Sequence, residues 1–289
     1  MASKADIEYH YDVDNDFFAL FLDTKFRAYS CGVWKTATTL EQAQIDKLNR
    51  LCRYANVQEN HCVIDVGCGW GGLMNHIDNN YSRTQIKGLT LSTKQFEYIN
   101  SVSKSNLSVD LKSWQDFPVP DKKFDSIISI GAFEHFATYQ NHLESRQREV
   151  YKQFFDWCLS ISTPSAQIGL QTIVISRAPS SRSEVKDTRY LLDKVFPGSA
   201  LPSISDIQAA ILDKYEISAI RKIGLDYSRT LLEWDKKLES NKDLIILRYG
   251  KNIYDHYKIY FEAAKRCFDS KYIDLVQISL TRVQQLRVF

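Results

Sequence analysis

Val63-Ile64-Asp65-Val66-Gly67-Cys68-Gly69-Trp70-Gly71-Gly72-Leu73 is the stretch that decides the fold. A short apolar run stops at a glycine, the pattern of a strand buried on both faces that ends in a tight turn. Residues 71–77 then read as a helix, so the unit is strand, glycine turn, helix. Downstream, 86–91 reads as a second strand and 93–102 as a second helix. Residues 109–111 form a weaker third strand, 124–130 a fourth and 168–175 a fifth. Upstream, 6–24 reads as a short amphipathic helix. Thr39, followed by Glu41 and Gln42, opens another through about Arg53, with Ile45, Leu48 and Leu51 on one face. Strands alternating with helices predict an α/β fold, a parallel sheet covered on both faces. Residues 177–240 break the rhythm and hold Pro179, Pro197 and Pro202. They read as a helical and loop insertion that folds as a lid over the open edge of the sheet. The alternation resumes at 244–246 and 274–280.

Gly67, Gly69 and Gly72 satisfy the glycine spacing of a dinucleotide site. Such a site also needs an acid about 20 residues on, to hold ribose hydroxyls. Leu89-Thr90-Leu91-Ser92 supplies none, which disfavours a nicotinamide-dependent dehydrogenase. S-adenosylmethionine fits better. It carries no phosphate but has an amino-acid end and a sulfonium. Asp65, at the end of the strand, can hold the ammonium, and the glycines let backbone approach the ligand without a Cβ clash.

Composition narrows the classes further. A chain of 289 residues, 44% hydrophobic and 25% charged, is an ordinary globular protein, not a disordered chain, a fibrous repeat or a disulfide-dense mini-protein. The mean hydropathy is -0.32, and no apolar run approaches the roughly 18 residues of a spanning helix. A net charge of +2 gives no global reason to bind nucleic acid. An aromatic share of 12% suits a ring-lined apolar cavity. Six scattered cysteines without a C-x-x-C pair argue against zinc or any other metal site. With no apolar stretch before Phe17, a cytoplasmic protein with reduced thiols is expected.

Several segments resemble the cyclopropane fatty acid synthases and mycolic acid cyclopropane synthases, in order along nearly the whole chain. They are residues 9–18, Tyr29-Ser30-Cys31, Leu40-Glu41-Gln42-Ala43-Gln44, the glycine turn, Gly88-Leu89-Thr90-Leu91-Ser92 and Gly131-Ala132-Phe133-Glu134-His135-Phe136, followed by residues 196–204 and Asp226-Tyr227-Ser228-Arg229-Thr230-Leu231. The resemblance implies a class I methyltransferase: a Rossmann-like seven-stranded sheet with a helical cap insertion, in one domain spanning 1–289. Within it, 1–55 would form an N-terminal helical segment over the active site and 177–240 the cap. The implied cofactor is S-adenosylmethionine, held by Tyr29, Ser30, Gly67, Gly69, Thr90, Leu91, Gln95, Trp114, Gln115 and Ile130. Gln95 can offer its amide to ribose hydroxyls, and Trp114 can stack on adenine.

Family enzymes pass the sulfonium methyl to a carbon–carbon double bond through a carbocation. By resemblance, a bicarbonate base would be cradled by Cys31, Glu134, Ile173 and Tyr227, with a histidine on a later strand. Here that position is Gln171, which cannot carry a proton near neutral pH. The base is then a more weakly held anion, Glu134 or Tyr227, or the substrate supplies its own nucleophile. A desolvated Glu134 would have a raised pKa, and His135 is expected to point away. Tyr11, Phe17, Trp34, Phe133, Phe136 and Tyr227 are candidates to face the cation. The acceptor is read as an unsaturated acyl chain or a lipophilic biosynthetic intermediate. Alternatives are N-methylation of a small amine on the same scaffold, and a cofactor-binding protein without turnover. Membrane contact through Lys258, Lys265, Arg266 and Lys271 would suit a phospholipid acceptor, although such a set is more often a solvated face.

Overall fold

Strand β1 (Cys62–Val66) is buried along its whole length. Its side chains alternate between two cores: Val63 joins the one that contains Leu48, Met74 and Ile99, and Ile64 joins the one that contains Phe154, Cys158 and Ile168. A strand that is apolar toward both faces must be covered on both, and this places β1 inside the sheet. The computed structural model describes residues 14–102 and 105–284. Flanking β1 are α1 (Asn15–Ala19), α2 (Leu40–Tyr54) and α3 (Gly72–Asn80). Next come β2 (Gln85–Thr90), α4 (Thr93–Val102), β3 (Leu107–Leu111), β4 (Phe124–Ile130), α5 (Tyr139–Leu143), α6 (Gln147–Ile161) and β5 (Ser162–Ile175). The chain continues through α7 (Arg182–Tyr190), α8 (Ile204–Ile211), β6 (Tyr215–Lys222), α9 (Gly224–Ser240), α10 (Lys242–Tyr249), α11 (Lys251–Asp269) and β7 (Ile273–Arg282).

The seven strands lie in the order β3-β2-β1-β4-β5-β7-β6. β7 runs antiparallel to both its neighbours, so the sheet is mixed and not wholly parallel as the alternation suggested. The glycine turn and α2 to α4 fall as expected. Thr39 caps α2, its side chain accepting from the Gln42 amide.

Three elements differ from the sequence reading. The described part of the first helix is only Asn15–Ala19; residues 6–13 lie outside the described residues. The 177–240 stretch contains a strand, β6. This is an edge strand in which only Tyr215 is fully buried and whose end carries Arg221 and Lys222, so it lacked an apolar signal. Residues 244–246, read as a strand, lie in α10. A short apolar run does not separate strand from helix, and the 83% exposure of Leu247 shows that one side of it faces water.

Helices α7 and α9 to α11 gather above the carboxyl ends of the strands. They share a third apolar core with Phe17, Phe18 and Phe21. Asn15 ties this layer to the sheet: its Oδ1 accepts from Trp70 Nε1 at 2.8 Å, and its Nδ2 donates to the Lys94 carbonyl at 3.3 Å. All six cysteines are buried and none is in a disulfide. Among the described residues, no helix is long and apolar enough to cross a membrane. Of the basic set considered for membrane contact, Lys258 pairs with Asp235 and Glu239, Lys265 with Asp269, and Arg266 with Asp187 and Glu262. Those three charges are answered within the protein.

Candidate active site

The ends of β1, β2 and β4 open onto a cavity, the place where open α/β sheets take ligands. The turn after β1 is drawn against β2 by two bonds, with Gly67 N and Cys68 N both donating to the Leu89 carbonyl at 3.0 and 2.9 Å. Gly69 has φ +55, and a Cβ added there would meet nothing within 4 Å, so the turn presents bare backbone to open space. Gly72 is the opposite case. A Cβ there would stand 2.4 Å from the Phe26 carbonyl oxygen. Gly72→Ala is expected to destabilise the protein by about 1–3 kcal/mol, read as a lower denaturant midpoint.

Asp65 and Lys47 face this cavity, and each is 1% exposed. Asp65 Oδ1 has no hydrogen-bond partner. Burial raises its pKa to about 7 against the opposing pull of Lys47. Lys47, on α2, donates from Nζ to Ser30 Oγ at 2.8 Å. Burial lowers its pKa to about 8, opposed by Asp23, Cys31 and Asp65. An anion and a cation on one wall complement an α-amino-acid zwitterion. On the far side, Thr90 Oγ1 accepts from Ser92 N at 3.2 Å and donates to Gln95 Oε1 at 2.7 Å. That leaves the Gln95 amide N–H groups to donate elsewhere. Trp114 packs its ring on Phe136 and Phe154, yet its indole N–H has no partner. Orphaned buried groups at both ends, with bare glycine backbone between, fit S-adenosylmethionine. Tyr29, Ser30, Leu91 and Ile130 also line the cavity. Gln115 does not. It follows Trp114 in a 3₁₀ turn, Trp114–Asp116, where neighbours diverge by about a third of a turn, and it is exposed.

A second cavity shares Tyr29, Ser30, Gly131 and His135 with the first and so communicates with it. Its walls are mainly apolar or aromatic. Leu191 and Phe196 come from the stretch after α7, Tyr227 from α9, Tyr260 and Phe268 from α11, and Tyr272 from the turn before β7. The Tyr227 and Phe268 rings lie 4.6 Å apart. Glu134 is the one carboxylate among the described residues lining it. Its Oε1 accepts from Ile173 N at 2.6 Å, and its Oε2 is buried without a partner. Desolvation raises its pKa to about 7, against the hydrogen bond from Ile173.

Gln171, Ile173 and Tyr227 line this chamber with Glu134, but Cys31 does not. Its thiol lies in the protein interior, donating to the Gly32 carbonyl at 3.0 Å and accepting from Thr230 Oγ1 at 3.8 Å, and burial pushes its pKa far up. His135, expected to point away, lines both cavities, with Nδ1 2.7 Å from Ser199 Oγ. Of the candidate aromatics, Tyr11 lies outside the described residues. Phe17, Trp34 and Phe133 are core rings, Phe136 lines the first cavity and Tyr227 the second. The sequence reading missed Lys47, whose signal is a lysine inside the buried stripe of α2. It also missed Tyr260 and Phe268, which belong to an aromatic stripe along α11.

A family model described as mycolic acid cyclopropane synthetase matches residues 1–278. Cyclopropane mycolic acid synthase 3 of Mycobacterium tuberculosis is 32% identical over 291 residues, covering 96% of each chain. The structure of the cyclopropane synthase MmaA2 from Mycobacterium tuberculosis matches with a TM-score of 0.87 at 27% identity, over 96% of this chain and 98% of that one. That of mycolic acid cyclopropane synthase CmaA1, complexed with SAH and CTAB, matches with a TM-score of 0.86 at 29% identity, over 97% and 99%. A glycine turn without a ribose-binding acid, an orphaned aspartate beside it and a likeness running the length of the chain agree: the protein belongs to the mycolic acid cyclopropane synthetase family and is an S-adenosylmethionine-dependent methyltransferase.

Proposed function

We propose that the protein methylates a carbon–carbon double bond in a lipophilic chain. The observation that carries this reading is Glu134 Oε2, a buried carboxylate oxygen without a partner on the wall of an apolar, ring-lined chamber that joins the cofactor cavity. When bound, S-adenosylmethionine supplies an electrophilic methyl on a sulfonium. Asp65 would hold its ammonium, Lys47 with Ser30 its carboxylate, Gln95 its ribose hydroxyls and Trp114 its adenine.

An alkene whose π pair took up that methyl would break its bond to sulfur, release S-adenosylhomocysteine and leave a carbocation on the acceptor. The faces of Tyr227, Tyr260 and Phe268 stabilise such a cation, at about 2 kcal/mol for a well-placed desolvated ring. The apolar walls keep out water that would trap it. Glu134 Oε2 then takes the proton whose loss yields a cyclopropane or a methyl-branched alkene. The helices over the strand ends, α7 and α9 to α11 with the N-terminal segment, serve as the lid. Gln171 favours a second reading, a discrete lipophilic small molecule or amine as acceptor, because it cannot titrate as a histidine would.

Incubation with S-adenosylmethionine and either unsaturated phospholipid vesicles or a metabolite extract, followed by mass spectrometry, separates the readings. A gain of about 14 Da on acyl chains is the expected result. The same gain on a small molecule supports the second reading. Tight cofactor binding with no gain anywhere defeats both.

A further inference from the structure

Gln171 on β5 and Gln277 on β7 stand directly opposite each other across the antiparallel pair. Both are buried, at 1% and 0% exposure. Arg50, from α2, donates from Nη1 to Gln277 Oε1 at 2.9 Å, and Gln277 Nε2 donates to Gln171 Oε1 at 2.8 Å. The direction of this relay is dictated by chemistry. A guanidinium has only donors, so the end of Gln277 that meets Arg50 must be its carbonyl. Its amide nitrogen therefore faces Gln171, whose nearest group must in turn be the carbonyl. The N–H groups of Gln171 are left over. Among the described residues no protein acceptor is placed against them, and Gln171 lines the acceptor chamber.

We propose that Arg50 and Gln277 are positioning residues that hold the Gln171 amide with its N–H groups turned into the chamber. There it forms a donor beside the bare acceptor oxygen of Glu134. Ile173, whose backbone holds the other Glu134 oxygen, lies two residues along the same strand face as Gln171. The paired donor and acceptor fit an oxygen group that accepts from Gln171 and donates to Glu134. That group is a hydroxyl carried by the acceptor molecule. The inference deepens the proposed function and rests on the chamber being the acceptor site.

The test uses full-length protein saturated with S-adenosylhomocysteine and labelled with ¹⁵N. The Gln171 side-chain amide is assigned by its loss in Gln171→Met. Sodium bicarbonate and 1-octanol are titrated in separately. A shift of that signal with 1-octanol is the expected result; a shift with bicarbonate alone, or with neither, overturns the proposal. Gln277→Glu keeps the contact to Arg50 but offers Gln171 only acceptors. It forces the Gln171 amide to reverse and present its carbonyl to the chamber. The affinity for 1-octanol should then fall about tenfold or more, with S-adenosylhomocysteine binding unchanged. Should that variant not fold, Arg50→Met releases the lock without placing a charge, and a loss of about threefold is expected. Unchanged probe affinity in a folded variant overturns the relay. If the relay holds but no methylated product forms, the fault lies with the reading of the reaction and not with the positioning.

Discussion

Glu134→Gln is expected to lower kcat by about two to three orders of magnitude, the usual contribution of a positioned base. Affinity for S-adenosylhomocysteine should hold, because Glu134 lines only the acceptor chamber. Glutamine preserves the shape and the carbonyl that meets Ile173 N but cannot take up a proton. The wild-type pH profile reports the same group. With a pKa raised to about 7 by desolvation, Glu134 would serve as the proposed base only in its ionised form, so kcat/KM should fall about tenfold per pH unit on the acid side of 7. The variant should lose that limb. A variant that keeps both its rate and its acid limb would remove Glu134 from the chemistry.

Asp65→Asn carries the second large effect. Removing the anion proposed to hold the ligand's ammonium should weaken S-adenosylhomocysteine binding about 10- to 100-fold in calorimetry. In the wild type, the zwitterion-complementary form has Asp65 ionised and Lys47 protonated. These groups titrate at about 7 and about 8, so affinity should peak between those values and decline on both sides. The stability effect runs the other way. A carboxylate whose folded pKa lies above its unfolded value near 4 favours the folded state at low pH, and this advantage is lost as pH rises through about 7. Without ligand at pH 8, the charged Asp65 is therefore a burden, and Asp65→Asn should melt higher than the wild type in that condition. A variant that binds normally would place the ammonium elsewhere.

The sequence announced the part of the fold where burial is two-sided. The apolar runs of β1, β2 and β4, each stopped by a turn, carry their own periodicity. It was silent where an element borrows its order from a neighbour. β6 is an edge strand with an exposed outer face, and the direction of β7 depends on how the chain returns from α11, which no local pattern encodes. The site followed the same division. Glycines and Asp65 are legible because the turn's chemistry allows little else. Lys47 and the rings of α11 reach the cavities through tertiary packing, and a lysine in an apolar stripe is easily taken for one whose amine reaches solvent. Cys31 and Gln115 show the converse. A residue can sit inside a recognisable segment and yet not line the cavities beside it, since adjacent residues diverge.

The distribution of buried thiols equips the protein with internal reporters. Cys68 borders the first cavity, Cys267 borders the second and Cys158 sits in the core beside the sheet. A thiol-reactive dye can reach each only when the surrounding structure parts. Labelling rates at the first two therefore time the breathing of each compartment separately, and the rate at the third times collapse of the whole molecule.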